Sequence, residues 1–143
     1  IIQSQFGNSI ATFLTDIGEQ VQMDYGCIAS STSSLLYAKP AFSHYGYTSN
    51  LWQYFTSAAV ETSLLSGYPV FIRGSSNGGG AHAWVIDGQA MGDYYYFHMN
   101  WGWNGTSNGY FNCGTWGGSL PSSVTAGGYT FVFSTFQILT NIH

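Results

Sequence analysis

The apolar positions of this chain change period once, and the change divides it into a helical first half and a stranded second half. Over 4–18 they fall three and four apart, at Phe6, Ile10, Phe13, Leu14 and Ile17, which aligns them on one helix face, and Gly18 reads as the stop. A short strand is predicted over 21–25. The hydroxyl-rich run that follows can cap a short helix reaching toward Tyr45, with Pro40 disturbing its interior. Leu51, Phe55, Ala58, Ala59, Thr62 and Leu65 restore the helical period over 50–66, and Gly67 supplies the C-terminal stop. Beyond it, β-branched and aromatic runs over 68–73, 81–86, 94–100, 109–113 and 129–141 are separated by Gly, Asn and Asp clusters and read as strands. The Gly- and Ser-rich stretch 114–128 reads as one long loop, of a length that is usually functional or mobile. Helices first and consecutive strands afterwards predict an α+β fold with a mainly antiparallel sheet.

At 143 residues the chain is expected to form a single compact unit over 1–143. Charged residues make up only 6% of it, against roughly 25% in ordinary soluble domains. The two basic residues, Lys39 and Arg73, cannot build a patch that neutralises phosphates, so nucleic acid and anionic membrane surfaces are not expected partners. No run approaches the roughly 20 apolar residues of a membrane span. Because residue 1 is Ile, a chain cut from a longer precursor is expected. Two cysteines, Cys27 and Cys113, are too few for a disulfide framework.

The candidate chemistry lies in GGGAHAWVIDG (78–88) and HMNWGWNG (98–105). Taken alone, His82 reads as a structural histidine. Three preceding glycines change that, because they let a backbone and a ligand approach closely beside an imidazole at a strand start. Antiparallel pairing of this strand with the next brings Asn100 toward His82, where its side-chain oxygen is expected to accept the imidazole N–H and fix the tautomer. Trp101 is then placed to shield that bond from water. A thiolate–imidazolium pair needs this kind of third group for orientation. Asp87 reads as a structural acceptor rather than a member of the constellation.

The pieces VQMDYG (21–26), HYGYTSN (44–50), GYPVFIRG (67–74), GGAHAWVIDG (79–88), YYYFHMNWGWNGTSNGYF (94–111) and QILTNI (137–142) together resemble the C-terminal portion of a streptopain-family, papain-like bacterial cysteine peptidase. The resemblance implies that His82 is the catalytic histidine, that Asn100 orients it, and that Trp101 packs over the pair. It also implies that Gly80 and Ala81, with hydroxyls near Ser30, line the substrate cleft, and that 114–128 is a mobile loop beside it. It implies polypeptide substrates, no cofactor, and secretion or an extracytoplasmic location, as a processed chain of a zymogen.

The nucleophile is the missing member. Cys27 sits in a segment that superficially copies the nucleophile's surroundings, before a possible helix whose N-terminus would favour a thiolate. The register of the resemblance puts it instead in the cleft wall, since the family's nucleophile lies far upstream on a helix of the N-terminal domain. Cys113 ends a strand with no helix near it. The expected partner is therefore a second chain, the N-terminal peptidase part, carrying the catalytic cysteine. Two other readings stay open. A non-catalytic module could use Tyr94 to Phe97, Trp101, Trp103 and Trp116 to stack on a peptide or glycan, and a metal site would need His82, His98 and His44 to converge, at spacings unlike any zinc motif.

Overall fold

The structure, a computed structural model, describes residues 2–143, with side chains from Gly7 onward apart from Met91. Phe6 of the predicted stripe lies outside the described side chains. Where a single compact unit was expected, the chain divides into two, 1–47 and 48–143.

The first unit holds α1 (Ile2–Gln20), a minimal hairpin of β1 (Asp24–Tyr25) and β2 (Ser30–Ser31), and α2 (Ser34–His44). Helix α1 does not stop at Gly18. It ends in a Schellman turn, with Gln22 left-handed at φ 49, its N–H on the Glu19 carbonyl at 3.0 Å, and the Met23 N–H on Gly18 at 2.8 Å. Gly18 is instead a packing position, where a Cβ would run into the Tyr25 hydroxyl. The 21–25 strand contracts to its last two residues for the same reason. Ser33 caps α2 by position but makes no side-chain bond, and the helix continues through Pro40. The Tyr45 hydroxyl donates to Asp16 Oδ2 at 2.6 Å, joining the two helices. The α1 stripe stays open to solvent, with Ile10, Phe13 and Leu14 each more than half exposed.

The second unit is built on a six-stranded antiparallel sheet of β3 (Gln53–Tyr54), β4 (Val70–Ser75), β5 (Ala81–Met91), β6 (Tyr94–Asn100), β7 (Gly109–Thr115) and β10 (Gln137–Leu139), in the order β3-β10-β4-β5-β6-β7. A separate hairpin pairs β8 (Ser123–Ala126) with β9 (Tyr129–Val132). The predicted 50–66 helix is shorter, running as α3 (Ser57–Leu65). Thr56, with extended backbone, accepts the Ala59 N–H at 3.3 Å and caps it there, so 51–55 is free to join the sheet edge. At the other end Gly67 (φ 82) is the expected stop, its N–H on Leu64 and that of Tyr68 on Ser63.

Two further expectations change. The predicted 129–141 strand breaks at a 3-10 turn, Phe133–Thr135, so that β9 and β10 belong to different sheets. The long loop 114–128 contains β8, and its last two residues, Gly127 and Gly128, both at positive φ, form the tight turn to β9. Helix α3 packs on β4 and β5, and its Val60 joins Val70, Ile72, Ile86, Phe97, Met99, Phe136 and Ile138 in the core, all fully buried.

Candidate active site

His82 is the second residue of β5 and pairs with Gly74 of β4. That partner has no side chain for a reason: a Cβ on Gly74 would stand 2.5 Å from the Phe136 ring and 3.1 Å from Trp84. His82 therefore points to the same face as Trp84 and Ile86, but at its margin, where the imidazole is half-buried rather than enclosed. Beside it lies a cavity of about 210 Å³ lined by Ser76, Gly80, Ala81, His82, Trp103, Tyr129 and Phe131. The expected Gly80 and Ala81 thus meet His82 in one hollow. Gly80 turns its carbonyl inward to accept the Ser76 N–H at 2.9 Å.

The imidazole is held differently from expectation. Its Nε2 lies 2.8 Å from the backbone carbonyl oxygen of Trp101. A carbonyl only accepts, so this bond assigns the proton to Nε2 and leaves Nδ1 as the ring's acceptor. Asn100 is on the paired strand, opposite Val85, yet its Oδ1 accepts the Gly102 N–H at 3.2 Å rather than the imidazole. It acts one step back, closing a side-chain turn around the very peptide that holds His82. Asn108, which the motif did not single out, secures the other side of that residue, its Oδ1 accepting the Trp101 N–H at 3.0 Å.

The aromatic shield is likewise shared out. Trp101 is fully buried, stacked on Trp84 at 4.5 Å and on Phe131 at 5.2 Å between centroids. Its ring is 6.4 Å from the imidazole, whereas Trp103 stacks on His82 at 4.8 Å with planes 28° apart. The tight turn at Gly102, φ 76, carries the chain so that the second tryptophan, not the first, lies over the ring. Sequence spacing contains the NWGW run but not which ring reaches the imidazole.

The two thiols differ sharply. Cys113 in β7 is buried, and burial pushes its thiol up to about 12, so it is not a thiolate near neutrality. Cys27 is exposed, in the β1–β2 turn of the first unit, and α2 begins only at Ser34. The helix N-terminus that would have favoured its thiolate is therefore absent from its position. Ser30 lies in β2 of the same unit and is exposed. Asp87 accepts a hydrogen bond from His98 Nδ1 at 2.5 Å. Of the rings considered for ligand stacking, Tyr95, Phe97 and Trp101 are core, while Trp116 is exposed and packs on Tyr95 at 4.9 Å. Among the described residues no three His, Cys, Asp or Glu side chains are grouped to hold a metal ion, and no helix is long and apolar enough to cross a membrane.

A half-buried imidazole, fixed in one tautomer, thus stands at the mouth of a hollow on the margin of an antiparallel sheet. The same fold is found in active wild-type interpain A cysteine protease of Prevotella intermedia, with a TM-score of 0.65 and 23% identity over 92% of this chain and 55% of that one. Residues 2–111 match the model of the peptidase C10 family, and the chain belongs to that family. It is 31% identical over 137 residues to streptopain of Streptococcus pyogenes, covering 90% of this chain and 33% of streptopain. It is 29% identical over 131 residues to the thiol protease/hemagglutinin PrtT of Porphyromonas gingivalis, covering 85% of this chain and 15% of PrtT. The chain thus spans about a third or less of the length of these curated relatives.

Proposed function

We propose that this chain is the histidine-bearing part of a cysteine endopeptidase, secreted or extracytoplasmic, whose nucleophilic thiol is carried by an N-terminal part on a separate processed chain. The observation that carries the reading is the Nε2–Trp101 bond at the edge of the hollow; it is supported by the burial of Cys113, whose thiol is pushed up to about 12, and by Cys27 lying in a turn that does not open a helix. The open apolar stripe of α1, Ile10, Phe13 and Leu14, also supports a further protein surface lying against the first unit. The companion's thiolate would attack the peptide carbonyl, and the C–N bond would break as His82 imidazolium gives its proton to the leaving amine. A water that His82 deprotonates would then attack the thioester and release the carboxylate and the thiol. Asn100 orients the site by fixing the Trp101 peptide, and Gly80 and Ala81 contribute to the substrate cleft.

The test is mass spectrometry of the native material after reaction with a thiol-directed peptide inhibitor. The adduct is expected on a companion chain, and Cys27→Ala is expected to leave hydrolysis nearly intact. A fully active chain with no companion, labelled on Cys27, overturns the two-chain reading and gives the nucleophile's role to Cys27.

A further inference from the structure

We propose that Gly127, in the β8–β9 turn, is a positioning residue for His82, acting through the Trp103 ring. A Cβ at Gly127 would lie 2.5 Å from Trp103 Cζ3 and 3.0 Å from its Cε3, so the bare backbone of the turn rests directly on the indole. The same indole stacks on His82 at 4.8 Å and on Trp101 at 5.4 Å. It therefore touches both the imidazole and the turn backbone, so that bulk added at Gly127 must displace the ring that covers His82.

The hairpin that carries this turn is fastened at three places around the hollow. Phe131 bridges Ser76, and Asn77 donates to the Thr130 carbonyl at 2.8 Å, which ties β9 to the loop just before His82. The Gly127 N–H donates to Ser107 Oγ at 3.1 Å, which ties the turn to the loop just after Trp103. Tyr129 closes the group, 6.0 Å from the Trp103 ring. The hairpin therefore spans the segments on both sides of the imidazole, and Gly127 is the point where it presses on the ring that covers it. The neighbouring Gly128 has φ 82 and open space where a Cβ would go. It shares the backbone demand without the contact and is a built-in control.

The role rests on His82 being the base, so the test has one arm that does not need activity. In the NMR spectrum of the assembled peptidase the His82 ring protons are expected to carry an upfield shift from the stacked indole. Gly127→Ala is expected to move those resonances, Gly128→Ala to leave them in place, and Gly127→Ala to have no further effect on them in a Trp103→Ala background. In the assembled peptidase Gly127→Ala is expected to lower kcat about 2- to 10-fold with KM little changed, no more than loss of the Trp103 stack itself. If Gly127→Ala does not fold, Ser107→Ala, which unfastens the turn without adding bulk, is expected to shift the same resonances less. Unmoved His82 resonances, equal shifts from Gly128→Ala, or an undiminished effect without Trp103 would each overturn the proposal. Full activity of His82→Ala would overturn the reading of His82 as base while leaving the resonance arm to stand.

Discussion

His82 and His98 stand on neighbouring strands, and by the simplest rule for a catalytic pair, a ring nitrogen against a carboxylate, His98 is the better dressed of the two. Its Nδ1 is 2.5 Å from Asp87 Oδ1, while the His82 ring is held by a backbone carbonyl. Surroundings reverse the ranking. His98 alternates with the buried Tyr95, Phe97 and Met99 along β6, so it lies on the other face of the sheet, with Tyr110 edge-on at 5.2 Å. His82 lies on the core face, against a tryptophan stack and a hollow large enough for a side chain. A carboxylate partner orients a ring, but so does a peptide carbonyl whose own position is fixed twice, by Asn100 and by Asn108. What distinguishes His82 from His98 is that its ring lines a cavity.

Deleting each ring in turn separates the two histidines most strongly. His82→Ala is expected to lower kcat/KM of the assembled peptidase by at least about 10²-fold, and near-native activity in that variant would move the base elsewhere. Trp103→Ala removes the stack but leaves the carbonyl bond. A stacked pair contributes about 0.5–1.5 kcal/mol, so the expected loss is about 2- to 10-fold in kcat, and a loss as large as that of His82→Ala would show that the indole does more than hold the ring. His98→Ala and Asp87→Asn are expected to leave hydrolysis unchanged and to lower stability by less than about 1 kcal/mol in denaturant unfolding, as partly exposed ion pairs do. Lost activity without lost stability would transfer the catalytic reading to that pair.

The smallest effect concerns Asp16 of α1. The Tyr45 hydroxyl bond, helped by Gln20 and His44, holds the Asp16 carboxyl below its ordinary value against the opposing effect of desolvation. A lowered folded-state value means that its stabilisation is present above the ordinary carboxylate range and is lost as pH falls through the lowered value. Asp16→Asn is expected to lower Tm slightly at neutral pH, where that stabilisation is present, and to change nothing at acid pH, so that the acid limb of the Tm-against-pH curve flattens.

The sequence revealed these features unevenly, and the pattern has physical causes. Local chemistry was legible where one residue decides it, as at Gly67, whose positive φ stops α3. Gly18 carries the same signal and does something else, because its missing side chain makes room for Tyr25. The α+β order and the antiparallel pairing of the His82 and Asn100 strands follow from period and turn residues alone. The break at Phe133–Thr135 does not, since Thr135 earns its turn through distant partners, its Oγ1 accepting the Ser75 N–H at 2.9 Å. In the site, the residues of the NWGW run were legible but their division of labour was not. Which tryptophan covers the imidazole depends on the turn at Gly102 and on the hairpin behind it, both tertiary facts.

The pairing of Gly74 with His82 has a consequence for how correct folding is judged. Side chains alternate along a strand, so a slip of one residue between β4 and β5 would send the imidazole to the opposite face while keeping the strand content. The slip would also put a side chain where Phe136 and Trp84 leave no room, so Gly74 works as a register lock. A preparation can therefore look folded by circular dichroism and still hold inert molecules, and titration of competent sites, not secondary-structure content, measures the correctly threaded fraction.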